Sequence, residues 1–218
     1  KLTILDSGND GKITGGFKSY TDAWVNNVEH DGGGIFVDTG AEVVLESGSI
    51  TGNDAWSGGG VYINGGGSFT MNDGEISNNN ALRPYHGGGG GVYALDDEEK
   101  GTGKFVMNDG VIKGNTTLTQ GGGAFISGEM EMNGGEIIEN KALKGGGVCI
   151  NGTMTLNKGV VSRNEAKFLE GTQYDAIECG GIKINGGTLN LNGGEITDNT
   201  ATSTTEKNAK GEEVKAAI

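Results

Sequence analysis

One proline and two cysteines occur in 218 residues, and aromatic side chains make up only 6% of them. With no Gly-X-Y period and almost no proline, collagen is excluded, although 45 residues are glycine, roughly three times ordinary usage. Two cysteines do not make a disulfide framework. Basic side chains are scarce, 16 against 29 acidic ones, for a formal net charge of −13. That balance excludes the basic stripe a nucleic acid requires and argues against an anionic membrane surface. No apolar run reaches the roughly 18–20 residues of a membrane span. A helical domain is excluded because each helical glycine would cost about 1 kcal/mol. Disorder fits poorly, since the apolar residues recur at fixed offsets between the glycines. The chain opens on Lys1 without an initiator Met or a signal peptide, as expected of a mature product or an excised fragment.

What is present is a repeat. GGGVYINGGGSFTMNDGEISNNNA starts at Gly58, GGGVCINGTMTLNKGVVSRNEA at Gly145 and GGIKINGGTLNLNGGEITDNTA at Gly180. An asparagine follows three residues after an aliphatic in Ile50/Asn53, Ile76/Asn79, Ile112/Asn115, Ile137/Asn140, Val161/Asn164 and Ile196/Asn199. The mean period is about 29 residues, with the shortest units near 24. Each unit holds three short segments with period-two alternation, typified by Val61–Ile63, Phe69/Met71 and the brief segment around Ile76. Such segments read as half-buried strands that bury a face only by stacking on their equivalents in the next unit. The expectation is an all-β, right-handed parallel β-helix of about six to seven coils, with three short strands per coil.

Like then stacks on like. Val61, Val92, Ala124, Val148 and Ile182 form one inward column, and Met71, Met107, Met132, Leu156 and Leu191 another. Ala55, Ala81, Ala142, Ala166 and Ala201, with Thr117 as the exception, fit a narrowing corner. Asn53, Asn79, Asn115, Asn140, Asn164 and Asn199 are read as a structural ladder bonding one another and the turn backbone, since a side-chain amide both donates and accepts. A second column runs Glu46, Asn72, Asn108, Asn133, Asn157 and Asn192. Each of these precedes by two residues a glycine suited to positive φ.

The repeat covers 1–202, and 203–218 reads as a tail or a truncated next coil. Leu2 and Ile4 belong to a second segment whose preceding strand is missing, as in a slice of a longer stalk or a subunit that stacks end to end. The run GGGVYI…FTMNDGEISNNNA, with the lead-in KLTILDSGNDGKITGG, resembles the right-handed parallel β-helix, adhesin-like repeats in surface proteins of gut and rumen Firmicutes. The resemblance implies an extracellular protein, secreted or linked to the bacterial cell surface. It is specific for fold and far less so for function.

Insertions gather at two corners. Leu95–Gly103 carries Asp96, Asp97, Glu98 and Glu99; 17–31, 82–86 and 167–178 lie at the other. Trp24, His30, Trp56, Tyr85, His86, Phe168 and Tyr174 fall on that second corner, either to bind sugar rings or to clip the insertions to the coil. Phe36, Tyr62, Tyr93 and Phe125 alternate with inward aliphatics and should line an outer face about 5 Å apart, as a platform or beneath the insertions. Asp96/Asp97 and Asp175/Glu178 are the loop pairs that general acid–base chemistry would use, and Glu75, Glu136 and Glu195 share one strand position. Arg83 and Lys113 are the basic candidates a lyase would want. No spacing enforces an acid, a base and a charge stabiliser, so no catalytic residue is assigned. The acidic loop lacks the EF-hand and calcium-roll patterns, and no metal or cofactor is expected. Cys149 and Cys179 are out of register and read as free thiols, although the long insertion between them leaves a disulfide open.

The expectation is a non-enzymatic stalk or adhesive segment contacting glycans or host or bacterial surface proteins. A polysaccharide-active lyase or glycosidase, and a filament subunit associating end to end or laterally, are the alternatives.

Overall fold

The computed structural model describes residues 1–8, 11–16, 31–85, 87–170, 172 and 176–202. The tail 203–218, Trp24, His30, His86, Tyr174 and Asp175 lie outside the described residues. The chain coils into a parallel β-helix. Among the described residues there is no helix, and every long sheet is parallel.

A coil passes through its faces in order, as in Val61–Ile63, Ser68–Met71 and Glu75–Ser77. Stacking over consecutive coils gives six strands on the first face and seven each on the second and third. The three expected strands per coil are therefore present. A fourth, two-residue strand was not anticipated: Asn80–Ala81 stacks on Asp54–Ala55 and Thr116–Thr117, and six such pairs form a sheet of their own. The small residue read as a corner filler is the inward position of this strand, and Ala55, Ala81, Thr117, Ala142 and Ala166 are all fully buried.

Registers follow the repeat. Val92 pairs Val61 and Ala124, and Met107 pairs Met71 and Met132. Ile112 sits between Ile76 and Ile137. All nine of these side chains are buried completely. Burial of one such aliphatic is worth about 1.5–3 kcal/mol relative to exposure. Adjacent coils also approach through backbone alone. A Cβ on Gly90 would lie 2.5 Å from the Gly122 carbonyl oxygen and 2.6 Å from that of Thr116, so only glycine fits between them.

The buried asparagine ladder turns the chain between the third and fourth faces. The Asn79 backbone N–H and its Nδ2 amide both donate to Asn115 Oδ1, at 3.0 and 2.9 Å, and Nδ2 also donates to the Ile50 carbonyl at 2.9 Å. Asn53, Asn115, Asn140 and Asn164 repeat the arrangement. The residue before each ladder asparagine is left-handed: Gly52, Asn78, Gly114, Glu139, Arg163 and Asp198 have φ between 53° and 67°. That conformation is tolerated by Gly and Asn and strained for Glu and Arg, so the corner is dictated by the amides, not by local preference.

The outer column is a second ladder. Asn108 Nδ2 donates to Asn72 Oδ1 at 2.8 Å, and the series ends where Asn72 donates to Glu46 Oε2 at 2.8 Å. The glycines two residues on have φ of 78–102°, as their spacing requires.

Ile76→Asp should abolish cooperative unfolding or shift it drastically, because it buries an unpaired charge between coils. Glu75→Ala should change stability by no more than about 1 kcal/mol, since the Glu75–Lys113 pair is half-buried at the surface. Asn115→Ala should cost about 2–5 kcal/mol by stranding the Asn79 donors and the Ile76 carbonyl, whereas Asn108→Ala on the exposed ladder should cost less than about 1 kcal/mol. Urea unfolding midpoints check the set; equal midpoints for the two asparagine variants would refute the distinction between the ladders.

Candidate functional site: the aromatic column and its corner

The outward column of the first face stacks as its spacing demands. Ring centroids lie 5.3 Å apart for Phe36–Tyr62, 5.0 Å for Tyr62–Tyr93 and 4.9 Å for Tyr93–Phe125, with interplanar angles of 7°, 14° and 26°. The strand register continues the column from Phe125 to Cys149 and Lys183, so the aromatic run stops there.

The column is not an open platform. Tyr62 and Phe125 are 9% and 6% exposed, Tyr93 is half-buried, and only Phe36, at 49%, shows much of its ring to solvent. The second corner supplies cover. Backbone at Gly88 runs so close that a Cβ there would lie 3.0 Å from Phe125 Cγ. Arg83 places its guanidinium 5.0 Å from the centroid of Trp56, a cation–π contact. Burial pushes the Tyr93 phenol up to about 12, with the Asp31 carboxylate adding to the rise and Arg83 opposing it. Of the corner aromatics, Trp56 meets the 82–86 insertion through Arg83, and Tyr85 is 45% exposed.

Further along the same face, Glu178 binds Lys144 at 2.6 Å and Lys183 at 2.5 Å, which holds its carboxyl below the usual range. These lysines, with Thr119, Gln120, Leu143 and Asn185, line a cleft of about 200 Å³. That is smaller than the roughly 300–1,000 Å³ of ordinary small-molecule sites. The trio had a signal in the sequence. Gly88, Gln120, Lys144 and Glu178 each precede the first left-handed residue of a coil, and they bridge one another in parallel. Cys149 lies beneath, fully buried, its thiol donating to Gln120 Oε1 at 3.4 Å. Burial raises it to about 11 despite Lys183. Cys179 takes a glycine position, at φ 57°, and both thiols are free.

Of the acidic residues considered for catalysis, Asp96, Asp97 and Glu75, like Glu178, are engaged in turns and ion pairs. Asp96–Asp97 pairs antiparallel with Gly101–Thr102 in a hairpin. Asp96 Oδ1 accepts from Thr102 Oγ1 at 2.8 Å, and Asp97 Oδ1 caps the turn by accepting the Glu99 and Lys100 N–H groups at 2.9 Å. Those backbone donors keep the Asp97 carboxyl below its ordinary value. Burial works to raise the Glu75 carboxyl, and Lys113, at 2.8 Å, with Ser77 outweighs it. Glu75, Glu136 and Glu195 alternate with Val111 and Val160 along the third face. Among the described residues no group of three or more His, Cys, Asp or Glu side chains could hold a metal ion.

Compared with known proteins, the chain matches no family model, no curated protein and no solved structure.

The covered column gives an alkaline signature. The folded state holds the Tyr93 proton more tightly than the unfolded chain, so this contribution is complete below pH 10 and is lost as pH rises toward 12. The two-unit rise corresponds to about 3 kcal/mol. The Cys149 thiol acts in the same sense from 9 to about 11, so the comparison belongs in a Cys149→Ala background. Urea midpoints from pH 8 to 12 should fall steeply with Tyr93 present and much less with Tyr93→Phe; parallel profiles would disprove the assignment.

Proposed function

We propose that the chain is a non-catalytic, rod-like segment of an extracellular bacterial protein, secreted or held at the cell surface, that meets glycans or other surface proteins through repeated outer side chains. The adhesin-like resemblance of the repeat supports this reading. The observation that carries it is the pair of amide ladders, running without a break from Asn53 to Asn199 and from Glu46 to Asn192. Coils tied in this way make a stiff rod that sets identical positions at regular intervals, a geometry suited to reach and avidity. The engagement of Asp96, Asp97, Glu75 and Glu178 in turns and ion pairs supports a non-catalytic role. Contact then falls to Phe36 and Tyr85, the exposed rings of the aromatic set among the described residues, beside Trp56 and Arg83. Tyr62, Tyr93 and Phe125 keep the column rigid behind them.

Chain immobilised at graded density and probed on a glycan array should bind in a density-dependent way. Incubation with purified polysaccharides should release neither reducing ends nor unsaturated products. Phe36→Ala should weaken binding with little change in the melt. Tyr62→Ala with Tyr93→Ala should lower the melt itself, since each buried ring removed costs about 3–5 kcal/mol. Product formation above a heat-denatured control would place the protein among the enzymes instead.

A further inference from the structure

We propose that the cleft at Lys144 and Lys183 binds one carboxylated sugar residue, a hexuronate, with its carboxylate on the two ammonium groups. This goes beyond contact through Phe36 and Tyr85, neither of which lines the cleft. It deepens the glycan reading, on which the sugar class rests, by giving that ligand a site of its own. The cleft has a structural origin. The outward column of the first face carries a ring at Phe125, a thiol at Cys149 and then Lys183. A thiol is far smaller than a ring, so bulk is missing where the column passes Cys149. Gln120, which accepts the Cys149 thiol at 3.4 Å, and Lys183, in register with Cys149, both line the resulting space of about 200 Å³.

Two cations share one anion here. Lys144 bonds Glu178 Oε1 at 2.6 Å and Lys183 bonds Oε2 at 2.5 Å, one ammonium to each oxygen. In the other five ion pairs among the described residues, each carboxylate has one cation. The two lysine side chains are 21% and 15% exposed and the glutamate 42%, so the cations are the more enclosed members of the trio. Lys183 has no second carboxylate among the described residues, and an enclosed ammonium that shares its anion is stabilised by a further one. A ligand carboxylate would complete a set of two cations and two anions. Elsewhere the net charge of −13 works against an anionic ligand, which confines its binding to this cleft.

The rest of the lining calls for hydroxyls. Gln120 Oε1 takes the Cys149 thiol, and its Nε2 has no acceptor among the described residues. Asn185 Nδ2 donates to Asn151 Oδ1 at 3.1 Å, while Asn185 Oδ1 has no donor among the described residues. The cleft therefore offers an amide donor and an amide acceptor, and a sugar hydroxyl satisfies either. Leu143 adds an apolar patch for the C–H face of a ring. A phosphate or a simple carboxylate would meet the lysines and leave both amides unused. A volume below that of ordinary small-molecule sites suits a single ring.

The test titrates sodium D-glucuronate into the isotope-labelled full chain, followed by amide resonances, with D-glucose, acetate and inorganic phosphate as matched probes. Glucuronate should shift the Gln120, Lys144, Lys183 and Asn185 amides and saturate, and each of the other three should bind about tenfold more weakly or worse. Lys183→Gln should weaken glucuronate binding about tenfold or more at an unchanged urea midpoint. Asn185→Ala should weaken glucuronate binding and leave acetate binding as it was; it decides the matter if Lys183→Gln fails to fold. Acetate or phosphate binding as tightly as glucuronate would overturn the sugar class. Glucose binding as tightly would overturn the role of the lysines. The titration needs no array, so the two readings fail separately. Density-dependent array binding without saturating shifts at the cleft would overturn this site alone, and saturating shifts without array binding would uphold the site and overturn the multivalent contact.

Discussion

A chain that coils around its own core must bend several times per turn, and each bend leaves backbone donors and acceptors without a sheet partner in a place water does not reach. The buried ladder resolves this. One amide at the third corner accepts two donors from the coil before it, returns one hydrogen to a carbonyl of that same coil, and passes its own donors forward. No other side chain of that size both donates and accepts through a rigid plane. Fixing it fixes the register of the three-residue strand before it and the two-residue strand after it. The strained left-handed residues at Glu139 and Arg163 are tolerated for the same reason, because the buried bonds outweigh the local cost.

Everything else follows from each coil touching only its neighbours. Side chains at one position meet the same position above and below, so the core is a set of columns in which Met71 needs only to match Met107, and Phe69 only Phe105 at 5.9 Å. Corners face outward and tolerate extra chain. The Asp96–Thr102 hairpin adds residues without moving Phe105 or Tyr93 out of register. Charge is distributed by the same rule: outward carboxylates find lysines one coil away, as Glu75 does Lys113 and Glu129 does Lys104.

This locality explains what was legible in advance. Ile76, Met71 and Asn79 recur at fixed offsets, and a column is defined by recurrence, so core, ladders and turn glycines could be read directly from the repeat. The Asn80–Ala81 strand was missed because two residues carry no alternation to detect; only the smallness of Ala81 hinted at it. The state of Tyr62 and Phe125 was not legible either. Their spacing dictates stacking, but their exposure depends on the second corner, where the 82–86 insertion carries Arg83 and the backbone at Gly88 runs against Phe125, and the length of chain there differs from coil to coil. The Lys144–Glu178–Lys183 trio escaped because, although its members occupy recurrent positions, the residue type at those positions changes from coil to coil.

The covering of the aromatic column bears on what such a rod offers a partner. Stacked rings buried on both faces stiffen the first face, and covering their edges keeps a long apolar stripe from pairing laterally with another molecule. A ring left open at Phe36 and another at Tyr85 then present apolar surface on a chain whose formal net charge is −13. Each such contact is small and therefore weak alone. On the proposed reading, strength of attachment would come from the number of units arrayed and from the rigidity of the array, and that rigidity resides in the amides at the corners.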